Sequence, residues 1–150
     1  MKRKGLLLWG SLVTLNVLFI WGNSLLTGEI SGEISGGLLG WLLEIFGRFP
    51  MGELLLRKLG HFAEFACLGF LLFRLFRLLG EKGIHGFAMP LLCGVLAACV
   101  DETIQVFTPD RGPSVIDVWI DTAGLCAGIL ICTVGYKLIR TSRNKLLSGG

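Results

Sequence analysis

The sequence predicts an all-α membrane protein, a bundle of four transmembrane helices with a short interfacial helix between the first and second, in a single domain over residues 1–150. Three observations carry this expectation. Of 150 residues, 53% are hydrophobic and only 17% charged, with a mean hydropathy of +0.71, well outside the composition of a water-soluble domain. The apolar residues gather into runs near the ~20 residues that a helix needs to cross a bilayer. The basic residues stand at the ends of those runs instead of forming a face, and with a net charge of only +3 they exclude nucleic acid as a partner.

Residues 5–26 form the first run, behind Lys2, Arg3 and Lys4. A secretory signal begins the same way, but this run exceeds the ~7–15 apolar residues of such a signal and no small-x-small cleavage site follows, so it reads as the first helix. Residues 27–37 (TGEISGEISGG) are rich in Gly and Glu and read as a loop. Residues 38–49 are apolar but too short to span, with Glu44 and Arg48 at i, i+4, which suggests a helix lying in the interface. Further spans are expected over 54–79, 84–107 and 115–136, and a basic tail follows. Trp9, Trp21, Trp41 and Trp119 fall near the boundaries, as in an aromatic belt. Gly124 and Gly128 give the last span a small-residue strip suited to close helix packing. Asn16, alone in the first span, is expected to make an interhelical hydrogen bond. The five cysteines, Cys67, Cys93, Cys99, Cys126 and Cys132, show no metal-type spacing and read as small core residues.

Cytoplasmic loops favour Lys and Arg. With four spans and an inside N-terminus, ten of the basic residues fall inside, and only Arg48, Arg57, Lys58 and Arg111 fall outside. Both termini are therefore expected in the cytoplasm of a multi-pass protein of the cell membrane. Of the acids, only Glu81 falls on the inner side.

This topology brings polar residues to one depth. Lys58, His61 and Glu64 recur every three residues along one helix face; Asp101 and Gln105 share a face of the third span, with Glu102 beside them; Asp117 and Asp121 share a face of the fourth. Asp110 and Arg111 lie in the connection between those two spans. Charges within spans cost roughly 2.5–3.5 kcal/mol on insertion scales, so such groups face a bundle interior or a wet cavity. Six acids against Lys58 and Arg111 leave a negative surplus. Either some carboxyls hold protons or a hard divalent cation, Mg²⁺ or Ca²⁺, binds among them. The plainest alternative is an internal ionic network that fixes helix register. The candidate roles are His61, Glu64 and Asp101 as catalytic groups, Lys58, Gln105, Arg111 and Asp121 as substrate-binding groups, and Glu102 and Asp117, with Asp101, as metal ligands. There is no P-loop, HExxH or GxSxG sequence.

These same residues resemble the VanZ-like family of small bacterial membrane proteins, named for a protein associated with teicoplanin resistance. Lys58-x-x-His61-Phe62-x-Glu64-Phe65 is similar to its K-x-x-H-F-x-E-aromatic element, Asp101-Glu102-x-x-Gln105 to its D-E-x-x-Q element, and Arg111 followed by Asp117 to its R…D element. Gly124 matches a glycine after the last element. The resemblance covers residues 54–131, and Asp121 departs from it, standing where the family pattern has Asn. The resemblance implies a cell-envelope role linked to lowered sensitivity to lipoglycopeptide antibiotics.

Three classes of function follow. The first is a protein that acts on or binds a lipid-linked or phosphate-bearing envelope molecule at an outward-facing polar site, with membrane lipid around it. The second is a non-catalytic lipid- or antibiotic-binding or structural membrane protein, for which the interfacial segment could serve as a lid. The third is a proton- or ion-coupled carrier; against it, no polar residues continue inward past the cluster to complete a path.

Overall fold

The computed structural model describes residues 2–46, 52–112 and 114–148. They form α1 (Lys2–Ser24), α2 (Gly28–Phe46), α3 (Glu53–Leu79), α4 (His85–Val106) and α5 (Val115–Ser148), with no strand among the described residues. α3 stops where Gly80 takes a left-handed conformation (φ 110°) and its N–H bonds to the Phe76 carbonyl, the usual glycine stop of a helix. α5 starts on Ser114, whose Oγ accepts the N–H of Ile116 at 3.2 Å, and runs on through the basic tail.

The stretch 27–37, expected as a loop, is helical from Gly28 onward. Its doublet spaces Ile30, Ile34 and Leu38 four apart, and Ser31 and Ser35 likewise, so each set occupies one face. The apolar set is exposed and both serines are buried. Thr27 Oγ1 accepts the N–H of Ile30 at 3.4 Å, and Glu29 lies in the first turn, where the helix dipole favours an acid. The four-residue period and this start signal outweigh the low helix propensity of the glycines. The segment expected as a separate interfacial helix over 38–49 is the second half of α2; residues 47–49, with Arg48, lie outside the described residues. The N–H of Gly28 bonds to the Pro109 carbonyl at 3.1 Å and ties α2 to the turn between α4 and α5.

Three of the described helices are long and apolar enough to cross a membrane: Lys2–Ser24, His85–Val106 and the Val115–Leu138 part of α5. α3 is the longest run of the remainder at 27 residues, about 40 Å by helical rise. Its apolar content is diluted by Arg57, Lys58, His61 and Glu64 at one end and Arg74 and Arg77 at the other.

α3 is the centre of the bundle and packs against each of the other four helices. Phe65, Leu68 and Leu72 of α3 meet Ile20 of α1, Ala98 of α4 and Leu125 of α5 in the main core; Phe73, Ile129 and Cys132 form a second core between α3 and α5. α3 and α5 approach most closely at Gly128, where a side chain would overlap the Ala66 carbonyl, and nearly as closely at Gly69 and Gly124, where it would overlap the carbonyls of Leu125 and Phe62. The small-residue strip thus seats α5 on the α3 backbone, as the sequence predicts. Leu7, Leu15, Phe19, Leu92, Leu96, Leu130 and Ile131 face outward, while Asp101 and Asp121 are 0% and 1% exposed. An apolar exterior around buried acids inverts the water-soluble arrangement.

Several minor expectations change. Cys67, Cys93 and Cys99 are exposed and only Cys132 is buried, because an apolar exterior accommodates small soft side chains as readily as a core does. Asn16 Oδ1 is buried without a hydrogen-bond partner among the described residues, so the expected interhelical bond is not made through it. Trp21 turns inward, its indole N–H donating to the Ala97 carbonyl at 3.2 Å. At the opposite end from the acids, Arg74 lies over Trp9 at 5.0 Å, and Arg77 lies 5.1 Å from the Tyr136 ring.

Candidate functional site

Helical spacing puts Lys58, His61 and Glu64 on one face of α3, and that face points to the ends of α4 and α5. Lys58 Nζ forms an ion pair with Asp117, each side chain somewhat over a quarter exposed. His61 Nδ1 lies 3.7 Å from Glu64 Oε2, too far for a hydrogen bond, and both atoms are buried without a partner among the described residues. The other Glu64 oxygen accepts the Asn23 amide at 2.7 Å.

Gln105 is the hub of the α4 side. Its Nε2 lies 2.9 Å from Asp101 Oδ2, 3.3 Å from Ser24 Oγ and 3.5 Å from Glu102 Oε1. An amide nitrogen has two protons, so the Asp101 and Ser24 bonds take them and the Glu102 contact is the weak one. Glu102 is held instead by the N–H of Ser114 at 2.8 Å, which places a carboxylate at the start of α5, where the helix dipole favours it. Gln105→Leu is expected to destabilise the protein by about 1 kcal/mol. That lies between the ~0.6 kcal/mol typical of hydrogen bonds between membrane helices and the ~1–3 kcal/mol of an orphaned buried group. Thermal unfolding in detergent measures it, and an unchanged midpoint would remove Gln105 from its role as hub.

Arg111, in the turn between α4 and α5, donates through Nε to the Leu26 carbonyl at 3.2 Å and through Nη2 to the Asn23 carbonyl at 3.1 Å. These are carbonyls at the end of α1, where a helix leaves acceptors without internal donors. Burial lowers the Arg111 pKa below its ordinary value, with Arg57 lowering it further, and the guanidinium keeps its charge regardless. Thr108 Oγ1 adds a bond to the Ser24 carbonyl at 3.0 Å.

All nine candidate residues therefore lie in one connected cluster, in two groupings. Asp101, Glu102 and Asp121 bring carboxylate oxygens within 4.8 Å of one another. Asp117, grouped by sequence with Asp101 and Glu102 as a ligand, is instead engaged by Lys58, and Asp121, assigned there to substrate, joins the acids. Asp110 stays exposed in the turn, with a left-handed φ of 58° that Asp tolerates, and takes no part. Sequence reasoning missed Asn23, Ser24, Ser31, Ser35 and Arg57. Asn23 and Ser24 could have been found from depth, because they end the first helix at the level where Lys58 begins the cluster.

Two cavities open among these residues. A chamber of about 30 Å³ is lined by Lys58, Glu102, Gln105, Asp117, Asp121 and their neighbours. A larger slot of about 250 Å³ runs between α1, α2 and α3, lined by Leu26, Ile34, Leu38 and Leu56 together with Asn23, Ser31, Ser35 and Glu64. Arg57, His61 and Arg111 line both. The chamber suits a water-sized group or single ion, and the slot suits an amphiphile.

A protein-family model described as VanZ/LLP1 matches residues 6–139. The chain belongs to the VanZ/LLP1 family. No curated protein and no solved structure matches it. In this VanZ/LLP1 protein the match reaches well beyond the motif-bearing residues 54–131. It takes in α1 and α2, which supply Asn23, Ser24 and one wall of the slot.

Proposed function

We propose that the slot and chamber together hold the phosphate-bearing headgroup of an envelope lipid, its chain lying along α2 and its phosphate against Arg57, His61 and Arg111. The observation that carries this reading is the slot itself, in which four aliphatic side chains share one cavity with two guanidinium groups. Arg pairs with phosphate through several N–H donors in a fixed plane. Arg111 uses two of its donors on backbone carbonyls and lines the cavity with the rest of its head, and Arg57 forms no ion pair among the described residues.

In this reading α3 is the fourth span. Its charged outer turns are tolerated because they face the cavity. α2 lies along the outer interface as the cover of the slot, and the Lys/Arg bias puts both termini in the cytoplasm and the site outside. Reduced lipoglycopeptide sensitivity would follow from engaging such a lipid, and deletion of the gene should then raise teicoplanin susceptibility.

The test compares a polyprenyl phosphate with the uncharged polyprenol in binding to the purified protein in nanodiscs. Wild type should prefer the phosphate, and Arg57→Gln should remove about tenfold or more of that preference, in line with the ~1.5–3 kcal/mol of a charge-assisted hydrogen bond. Equal binding of alcohol and phosphate would defeat the reading. A second reading, that the site also hydrolyses its ligand, water forming the new P–O bond as the polyprenol oxygen leaves with a proton, is favoured by His61 Nδ1 and Glu64 Oε2, adjacent buried atoms free to exchange a proton with water or ligand. Release of inorganic phosphate that His61→Ala abolishes would support it, and absence of any product would leave binding alone.

A further inference from the structure

We propose that Asp101, Glu102 and Asp121 form a site for one hard divalent cation of the Mg²⁺ class. Each offers a carboxylate oxygen, and the three oxygens lie within 4.8 Å of one another. Two oxygens on one cation lie at most about twice the metal–oxygen distance apart, roughly 4.2 Å for Mg²⁺ and about 4.6–5.2 Å for Ca²⁺, so the spacing is near that of a shared ion and rotation of the carboxylate side chains, with no helix movement, closes it on Mg²⁺. The donor set is oxygen only, which suits Mg²⁺ or Mn²⁺ and not a thiophilic metal.

Proximity of acids alone would not point to a ligand. The independent observation is that Asp101 and Asp121 are 0% and 1% exposed, and that each has an Oδ1 buried without a hydrogen-bond partner among the described residues. Buried carboxylate oxygens are normally satisfied. Nor does a side-chain cation pair with them: among the described residues Lys58 pairs with Asp117 and His61 lies nearest Glu64, and neither contact includes a member of this trio. The donors that do reach the trio, the Gln105 amide, the Ser24 hydroxyl and the Ser114 N–H, act on Asp101 and Glu102 and leave Asp121 without one. Those contacts orient the carboxyls in the way that outer partners orient metal ligands. The 30 Å³ chamber beside Glu102 and Asp121 has room for about one coordinated water or ligand oxygen. The site goes beyond the headgroup reading and does not depend on it.

The experiment titrates the purified full chain, in detergent without added lipid, with Mn²⁺, whose free form is counted by electron paramagnetic resonance. One Mn²⁺ per chain is expected, displaced by Mg²⁺. Asp121→Asn and Glu102→Gln should each weaken it by about tenfold or more, whereas Glu81→Gln, just past the far end of α3 from the cluster, should retain it. A wild-type chain that binds no Mn²⁺ at millimolar concentration overturns the site, as does binding that both ligand variants leave unchanged. If the three carboxyls were instead neutral acids, Asp121→Asn would be tolerated and wild type would bind nothing. Should either ligand variant fail to fold, the wild-type stoichiometry and the other variant still decide. Because the ion is counted without lipid, a failure of phosphate binding leaves this result untouched.

Discussion

Gly128→Leu is expected to unseat α5 from α3 and to leave little monodisperse protein after extraction into detergent. The side chain would overlap the Ala66 carbonyl and meet the Phe70 nitrogen at 2.9 Å. Overpacked cores usually lose about 1–3 kcal/mol because neighbouring side chains can shift. Here the obstacle is backbone, so a whole helix would have to move, and the cost should reach or exceed the top of that range. Gly135→Leu, on the same helix with nothing within 4 Å of the new carbon, should behave as wild type. Size exclusion and thermal unfolding compare the pair. Equal behaviour of the two variants would mean that the α3–α5 contact is not seated on glycine.

Arg111→Leu should damage both stability and ligand binding. It removes the donors to the Asn23 and Leu26 carbonyls and a cation from a cluster in which acids predominate. Orphaned carbonyls at a helix end cost about 1–3 kcal/mol when buried, so unfolding should shift downward, with faster amide exchange at the end of α1. Arg111→Lys should recover part of the stability but little of the phosphate preference, since an ammonium cannot reproduce the planar fork. Arg57→Gln should show the reverse, with stability kept and preference lost. If Arg57→Gln and Arg111→Leu destabilise equally, the division between clamp and ligand contact is wrong.

Much of this fold was legible because membrane helices announce themselves by long apolar runs. The helices expected over 54–79 and 84–107 agree with α3 and α4 to within a residue or so, and of the two α4 is also apolar enough to cross a membrane. The first half of α2 was hidden for a physical reason. Its four-residue period is carried by two isoleucines and two serines among glycines and glutamates, too weak against the glycine content for a propensity argument to recover. The polar cluster was legible because ionisable groups in spans avoid hydrocarbon, and one shared depth followed from topology. What sequence could not supply was partner choice within the cluster. Asp117 and Asp121 stand one turn apart on the same helix, and only the packed position of Lys58 decides which of them it engages. Uncharged groups were also harder to weigh. Asn16 drew notice as a lone polar residue, whereas Asn23 and Ser24, at the helix end, are the ones that reach the cluster.

The involvement of α1 bears on how this protein can be dissected. An expression fragment beginning at residue 52 would keep every recognisable motif and lose Asn23 and Ser24, together with the carbonyls that Arg111 grips. Such a fragment would carry the signature without the part of the polar cluster that α1 supplies, and a negative result measured on it would say nothing about the intact chain. Complementation by a separately supplied peptide of residues 2–26 is the corresponding positive control.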